Sequence, residues 1–263
     1  MNKNDFTTVR LERGSVAVYD FGAVKLHCYK TDDAMADEVF VVEKNGRAVV
    51  IESPCFYDSE KALAAYMKDM KAEGMLVAYH AAGGNFLPDV KKYGTAGAKE
   101  YATNGGGKAL IDNFTKAFGS AFDNRLHDIT EILPAGKVTI GGIDFVIVPN
   151  ADAYTIEIPE INAVYTHMLG HDCHSIVGGK EHADAMIAEL KNYIAKGFGL
   201  ILTSHYTPED MKDAETKIAY LENLKEIAAK SKSAEEFSRT VNEKYPGYSG
   251  ENYLSMTANM FFA

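Results

Sequence analysis

The sequence lacks several features that mark secreted, membrane-spanning and nucleic-acid-binding proteins. Its 263 residues include three cysteines, an odd number with no short-range pairing pattern, so a disulfide framework is not expected. No run of about 18 apolar residues occurs that would cross a bilayer, and the N-terminal stretch MNKNDF lacks the apolar core of a signal peptide. We therefore expect a cytoplasmic protein with free thiols and no membrane association.

Positive charge is also scarce. There are 27 Lys and Arg residues against 37 Asp and Glu residues, which gives a net charge of −10, and no basic stripe interrupts the acidic excess. Nucleic acid and anionic membranes are consequently poor partners. We expect a small-molecule ligand or substrate, and a homo-oligomer is left open.

No linker rich in proline, serine or charge divides the chain. A chain of this length can form one large domain or two small ones. We expect a single domain over residues 1–263, in which residues 231–263 form a C-terminal helical extension. The last part of this extension, residues 251–262, is amphipathic and rich in Met and Phe; it either packs onto the body of the protein or meets a partner subunit.

The first part of the sequence is rich in strand signals. Residues 38–43 and 47–52 are β-branched runs on either side of Asn45-Gly46, and this pattern predicts a tight hairpin because both turn residues accept a positive φ. A helix over about residues 58–73 and a buried strand over residues 75–79 should follow. Strand, helix and strand in this order imply a crossover between parallel strands, and hence a layered α/β fold.

Residues 80–107 are interpreted as loop. The triple glycine at positions 105–107 lacks the Lys-Ser/Thr sequel of a phosphate-binding loop and follows no clear strand. We interpret it as a flexible connector that leads into a helix over about residues 108–118.

The stretch from Leu133 to His205 contains a closely spaced series of predicted strands and a histidine-rich loop. It predicts strands at 137–140, 143–148, 154–158 and 163–166, the loop HMLGHDCH, a helix at 181–196 and a last strand at 200–203. Four of the eight histidines lie at or just beyond strand ends, where α/β folds commonly bind ligands: His167, His171, His174 and His205.

The remaining sequence predicts helices. One covers about residues 208–230, where Pro208 suits the first helical turn. Another begins at Ser233, which opens a capping box with Glu236.

The order of these elements resembles the metallo-β-lactamase fold. Residues 39–52 resemble the family's early hairpin, which ends in an acidic residue. Residues 141–149 (GGIDFVIVP) resemble the strand pair before its second metal-ligand turn, and residues 203–208 (TSHYTP) resemble the closing strand with its ligand histidine. The resemblance covers roughly residues 15–225. It implies an α/β (α+β layered) protein, a four-layer αββα sandwich whose members are mostly metal-dependent hydrolases.

The metal-ligand motif of that family is largely replaced in this chain. Members usually carry H-x-H-x-D-H after the strand that corresponds to residues 75–79, whereas this chain reads YHAAGGN, so at most His80 remains. Ala151 and His167 stand near the places where the family has a histidine and a bridging aspartate. Only His205 matches a ligand position cleanly, so the ordinary two-metal site cannot be assembled and a degenerate site is expected.

Three hypotheses for the function follow. In the first, the fold is kept without a metal, and the usual cavity binds or processes a small molecule. Its catalytic residues would be His205, His80 and Asp152, because a His–Asp pair can shuttle protons near neutral pH, and Tyr79 and His167 would line the pocket.

In the second hypothesis, an active metal-dependent hydrolase uses a relocated site. His171 and His174 would join His205 around one divalent ion, with Cys173 as a neighbouring donor or pocket residue; zinc suits such donors best. In the third hypothesis, the chain is a non-catalytic interaction or assembly protein that uses its C-terminal helix.

Overall fold

Two β-sheets packed face to face form the centre of the fold. The computed structural model describes residues 2–168 and 170–263. Within these residues, eight strands form the first sheet in sequence order, β1 to β8, and six form the second sheet in the order β14-β13-β12-β11-β10-β9. The strands are β1 (Thr7–Arg10), β2 (Ser15–Asp20), β3 (Val24–Lys30), β4 (Glu38–Lys44), β5 (Arg47–Ile51), β6 (Lys71–Leu76), β7 (Lys92–Gly94), β8 (Glu131–Ile132), β9 (Gly136–Ile140), β10 (Ile143–Pro149), β11 (Tyr154–Ile158), β12 (Ala163–Thr166), β13 (Leu200–Thr203) and β14 (Tyr206–Glu209).

Helices cover the outer faces of both sheets. The helices are α1 (Tyr57–Tyr66), α2 (Ala96–Thr103), α3 (Gly106–Phe118), α4 (Lys180–Lys196), α5 (Met211–Lys230), α6 (Ala234–Lys244) and α7 (Glu251–Phe261). Apolar residues of α1, α2 and α3 pack on the first sheet, and those of α4 to α7 pack on the second. A third apolar cluster fills the space between the sheets. The layers therefore run α, β, β, α, which confirms the expected four-layer sandwich.

The hairpin of β4 and β5 is confirmed at its predicted turn. Lys44 pairs with Arg47, and the two residues between them have φ values of 54° at Asn45 and 74° at Gly46. Both strands are almost entirely buried because they lie inside the first sheet with layers on both faces.

The predicted strand–helix–strand crossover is also confirmed, with shifted bounds. β5 and β6 are parallel neighbours in the sheet, and α1 connects them. The helix ends at Tyr66 rather than near Glu73, because Lys71 and Ala72 already pair with β5 and the Lys71 N–H donates to the Gly46 carbonyl at 2.9 Å. Residues 71–73, which the apolar spacing had assigned to the helix, therefore belong to β6.

Residues 80–107 contain more regular structure than we expected. β7 is a strand of three residues with parallel neighbours on both sides, too short to produce a periodic signal. α2 begins after Thr95, whose hydroxyl accepts the N–H of Ala98. The triple glycine is not the predicted connector, because Gly105 caps α3 and Gly106 and Gly107 are its first residues. A Cβ atom on Gly107 would lie 2.7 Å from the Tyr101 ring of α2. Glycine thus allows these two helices to pack closely.

The closing strand leads into a hairpin before the next helix starts. β13 and β14 are antiparallel and turn at Ser204-His205. α5 begins only at Met211, with Asp210 as its N-cap. Pro208 is therefore part of β14, and the prediction that it opens the helix is wrong.

The C-terminal helix packs on its own chain. Leu254 and Ala258 of α7 are buried in the apolar cluster of the second sheet, while Met256 and Met260 are exposed. Among the described residues, no helix combines the length and the apolar character needed to cross a membrane.

The buried carboxyl of Glu60 should make the stability of this fold depend on pH. Burial, and then the nearby Asp123 carboxylate, raise the pKa of Glu60 to about 8, whereas the usual value in an unfolded chain is about 4.3. Between these two values the unfolded state loses the proton and the folded state keeps it, so stability falls as the pH rises. We expect Glu60→Gln to raise the melting temperature more at about pH 8 than at about pH 5, measured by circular dichroism. The exposed Glu226→Gln on α5 is the control, and an equal increase at both pH values would contradict the prediction.

Candidate metal centre

Three histidines from three separate loops meet at one end of the sandwich. His80 follows β6, His167 follows β12, and His205 lies in the turn between β13 and β14. One ring nitrogen of each lies within 4.8 Å of the others. The ring centroids are 5.5 Å apart for His80 and His167, 5.2 Å for His80 and His205, and 5.1 Å for His167 and His205. β12 and β13 are parallel neighbours, so their carboxyl ends place the last two rings side by side.

A carboxylate that the sequence analysis missed lies beside the cluster. Asp37 directly precedes β4 and is fully buried. Its Oδ1 lies 3.1 Å from Nδ1 of His205, and its Oδ2 lies 4.0 Å from Nδ1 of His80. The first distance is that of an ion pair, but the alignment is poor for a hydrogen bond, so neither oxygen of Asp37 has a hydrogen-bond partner among the described residues. The only sequence signal was an acidic residue at the start of a buried strand.

The imidazole of His80 is similarly unpartnered. The residue is 7% exposed, and neither ring nitrogen has a hydrogen-bond partner within the described part of the chain. Burying a polar group without a hydrogen bond is costly, and most buried polar groups in proteins are paired. An unpaired imidazole next to an unpaired carboxylate therefore indicates a site prepared for a ligand.

Glu52 holds the backbone that carries His80. Its carboxylate accepts the N–H groups of Ala78, Tyr79 and His80 at 3.3, 2.9 and 2.9 Å, and also the hydroxyl of Tyr165. Glu52 itself has a φ of 66°, a left-handed conformation that is unfavourable for a side chain of this kind. Such strain persists where the surrounding structure fixes it, often at functional sites.

A hydrogen-bond chain fixes the orientation of His167. Its Nδ1 lies 2.9 Å from Oγ of Ser204, and Ser204 is in turn hydrogen-bonded to the Tyr165 hydroxyl. The Tyr79 ring stacks on the imidazole, with centroids 4.4 Å apart and planes 19° from parallel. Ser204 is fully buried and so orients the ring rather than meeting a substrate. Nε2 of His167 remains available to the cluster.

The histidines differ in their affinity for a proton. Burial lowers the pKa of His205, but the contact with Asp37 and its charge, together with the Met35 backbone and the charge of Glu52, outweigh this effect and raise the pKa above its usual value. Burial, and then the charges of His205 and His80, lower the pKa of His167 well below its usual value. Near neutral pH, His205 therefore takes a proton more readily than His167.

Cys55 lies close to Asp37 and His80, and the sequence analysis did not identify it as a candidate site residue. Its Sγ lies within 4.8 Å of one ligand atom each of Asp37 and His80. The residue is 3% exposed, and burial, followed by Asp37 and other acids, raises the pKa of the thiol well above its usual value. In the absence of a cation this sulfur therefore keeps its proton.

Among the described residues, no candidate metal-binding group combines His171 or His174 with His205. Nδ1 of His171 lies 2.8 Å from Oε1 of Glu209, and its Nε2 lies 3.6 Å from Oδ1 of Asp213. His174 is buried, with Nδ1 2.9 Å from the Tyr220 hydroxyl.

Contacts with α5 hold the loop of His171 and His174 away from His205. Nζ of Lys217 donates to the carbonyls of Gly170 and Cys173, each at 2.8 Å, and thereby turns the loop toward α5. Cys173 is buried, and its Sγ donates to the His174 carbonyl at 3.4 Å.

Of the remaining predicted residues, Tyr79 and His167 lie in the cluster and Asp152 does not. Asp152 is exposed in the turn between β10 and β11, where its N–H donates to the Asn150 side chain at 3.2 Å. Burial is the largest cause that raises the pKa of the Tyr79 phenol, and the charge of Asp152 raises this pKa further. A catalytic role for Asp152 remains a prediction.

The chain was compared with known proteins. No protein-family model matches it, and no curated protein matches its sequence. Solved structures do match. A metallo-β-lactamase from Erythrobacter litoralis has a TM-score of 0.57 at 13% identity, over 82% of this chain and 100% of that one. A metallo-β-lactamase family protein from Thermus thermophilus has a TM-score of 0.63 at 11% identity, over 91% of each chain.

A larger enzyme also matches. The inverting sec-alkylsulfatase Pisa1 from Pseudomonas sp. has a TM-score of 0.65 at 13% identity, over 90% of this chain but 49% of its own length. The TM-scores establish a shared fold. At identities this low they establish nothing about the chemistry, which has to be argued from the residues of this chain.

Asp37→Asn should lower the pKa of His205. Without the carboxylate charge, burial is opposed only by the smaller effects of the Met35 backbone and Glu52, so the neutral imidazole is favoured. The measurement is an NMR titration of the ring Hε1 signals in metal-free protein, with the exposed His182 as internal reference. A His205 pKa that does not change in the variant would contradict the role given to Asp37.

Proposed function

Since this chain has the metallo-β-lactamase fold, we propose that it is a metal-dependent hydrolase with one divalent ion held by His80, His167 and His205, and with Asp37 beside these histidines. The observation that carries the proposal is the set of unpaired polar atoms in the cluster. Both ring nitrogens of His80 and both oxygens of Asp37 lack hydrogen-bond partners among the described residues although they are buried. A cation would pair with one ring nitrogen of His80, and the negative charge of Asp37 would stabilise the cation.

The donor set fits zinc. Zinc in proteins is bound by imidazole nitrogen, carboxylate oxygen and thiolate, and catalytic sites commonly use three protein ligands and leave one position open. The supporting contacts also fit, because a ligating histidine usually engages its other ring nitrogen in a hydrogen bond. Ser204 provides that contact for His167.

The chemistry of such a centre divides between the ion and the chain. A bound divalent cation supplies Lewis acidity toward a substrate oxygen and makes water acidic enough to attack near neutral pH. Asp37 offers carboxylate oxygens, free of hydrogen bonds from the described residues, that can take up a proton. Glu52 cannot serve in this way because its oxygens already accept four hydrogen bonds.

The substrate in this proposal is a small molecule with a hydrolysable carboxylic, sulfuric or phosphoric ester or amide. The matching structures include β-lactamases and an alkylsulfatase by name, and all these substrates present an oxygen that a cation can polarise. The tyrosine ring of Tyr79, stacked on His167, forms an aromatic wall beside the cluster. We place the protein in the cytoplasm, because Cys28, Cys55 and Cys173 are free thiols.

A second candidate function rests on the contact between His205 and Asp37. A histidine whose pKa is raised by a buried carboxylate 3.1 Å away can act as a general acid without any metal. In that case the cluster would catalyse acid–base chemistry or bind a small molecule. Metal content distinguishes the two candidates.

Metal analysis tests the proposal directly. Protein purified without chelator and offered zinc, manganese and iron should retain about one equivalent of metal per chain, measured by plasma mass spectrometry. His80→Ala and His205→Ala should lose it, because each removes a ligand, whereas His171→Ala should retain it. Circular dichroism checks that the variants fold.

Each alternative gives a different result. Loss of metal in His171→Ala, but not in His80→Ala, would point to the relocated site instead. No retained metal in the unmodified protein would favour the metal-free acid–base function.

Glu52→Gln should weaken metal binding without removing a ligand. An amide oxygen cannot accept all the hydrogen bonds that the Glu52 carboxylate accepts, so the His80 backbone should lose its fixed position. We expect the affinity for zinc to fall about 10- to 100-fold, measured by competition with a chelating dye. Glu226→Gln is the matched control on the surface, and an unchanged affinity in Glu52→Gln would argue against this positioning role.

A further inference from the structure

A second group of possible metal ligands lies outside the histidine cluster. It comprises His171 in the loop after β12, Glu209 at the end of β14 and Asp213 in the first turn of α5. One ligand atom of each residue lies within 4.8 Å of the others. All three residues line a cavity of about 360 Å³, whose walls do not include the residues of the histidine cluster. The His171 side chain is 24% exposed, so an ion that enters the cavity can reach this ring.

Glu209 fixes the orientation of the His171 ring. Its Oε1 lies 2.8 Å from Nδ1 of His171 and also accepts the backbone N–H of His171 at 2.6 Å. An ionised carboxylate can only accept hydrogen bonds, so Nδ1 carries the ring proton and Nε2 is left with its lone pair. Metal-binding histidines usually engage their other ring nitrogen in a contact of this kind.

Nε2 of His171 faces an oxygen of Asp213 at a distance that suits a shared cation. It lies 3.6 Å from Oδ1 of Asp213, which is too far for a hydrogen bond. Two donor atoms bound to one ion at about 2.0–2.2 Å lie about 3.0–3.6 Å from each other. A nitrogen lone pair opposite a carboxylate oxygen is unfavourable unless a positive charge lies between them.

Both carboxylates of the group are buried and keep one oxygen without a hydrogen bond. Glu209 and Asp213 are 5% and 6% exposed, respectively. Oδ2 of Asp213 accepts the Asp210 N–H at 3.0 Å and the ammonium group of Lys3, whereas its Oδ1 accepts no hydrogen bond from any residue that the structure describes. Oε2 of Glu209 also accepts none within the described ranges. Because an unpaired buried carboxylate oxygen is costly, these two atoms indicate a place for a cation.

We propose that His171, Glu209 and Asp213 form a second site for a divalent transition-metal ion. Nε2 of His171 and Oδ1 of Asp213 are its ligands, and Glu209 orients the ring and adds negative charge. Imidazole nitrogen suits zinc and iron, and carboxylate oxygen suits manganese, so this mixed set of donors fits ions of that class. The proposal does not depend on the hydrolase function proposed above.

Lys3 makes this site weaker than the histidine centre. Its ammonium group contacts Asp213 and lies 4.0 Å from Oδ2 of Asp210. The Tyr19 hydroxyl donates to the Lys3 carbonyl at 2.6 Å and holds the N-terminal segment in this position. A metal ion beside Lys3 is repelled by it. The ion therefore exchanges with solvent and is lost during purification, so the site fills only when the cation is in excess.

Manganese is the probe, because the electron paramagnetic resonance signal of free Mn²⁺ reports the unbound fraction. The titration uses the His80→Ala variant, in which the histidine centre has lost a ligand, so the test stands even if the proposed hydrolase function is wrong. We expect about one equivalent of Mn²⁺ to bind with a Kd below about 1 mM. In ¹H–¹⁵N NMR spectra, substoichiometric Mn²⁺ should first broaden the amide signals of His171, Glu209 and Asp213.

Two further variants in this background should change the affinity in opposite directions. His171→Ala should weaken Mn²⁺ binding at least about tenfold, because it removes a ligand. Lys3→Ala should strengthen it several-fold, because it removes the competing charge. Glu226→Gln is the surface control and should leave the affinity unchanged, and circular dichroism checks that each variant folds.

A protonated His171 that simply pairs with both carboxylates would give different results. The proposal fails if Mn²⁺ shows no saturable binding up to about 5 mM, or if His171→Ala binds it as tightly as its parent. It also fails if Lys3→Ala does not strengthen the binding, or if the broadened signals lie elsewhere in the chain.

Discussion

The centre depends most on one buried carboxylate. Glu52 joins the end of β5 to the segment that leads to His80, and through Tyr165 it reaches the second sheet. Three backbone N–H groups point at it, and each would be left unpaired and buried without it, at about 1–3 kcal/mol per group. The left-handed backbone at Glu52 is tolerated because these contacts surround it.

The fold was largely predictable because its signals are local. The hairpin at Asn45-Gly46 and the strands over residues 136–166 follow from turn chemistry and short apolar runs, and their order suggested the sandwich. β7 was missed because a strand of three residues carries no periodicity, and β14 was missed because Pro208 was interpreted as the start of a helix. Their positions are set by pairing with strands that are distant in sequence or by a turn.

The candidate site was less predictable for a related reason. His80, His167 and His205 were each singled out in the sequence. The hypothesis of a metal site, however, grouped His205 with His171 and His174, which lie together in another loop. Strand ends decide the grouping instead, because β12 and β13 run side by side. Asp37 and Cys55 carried no motif, and only the three-dimensional packing brings them to His80.

The donors His80, His167 and His205 come from three separate loops. The family pattern places several ligands in one short motif, whereas here each loop contributes a single donor. The precision of the centre therefore rests on how firmly the two sheets are held together at this end. The link from the Glu38 N–H to the Ser204 carbonyl, which joins β4 to the turn after β13, contributes to that rigidity.

This distribution has a consequence for the order of folding. His80 and Asp37 belong to the first half of the chain and His167 and His205 to the second, and each half builds one sheet. The cluster of His80, His167 and His205 can therefore form only when the two halves have folded and packed together.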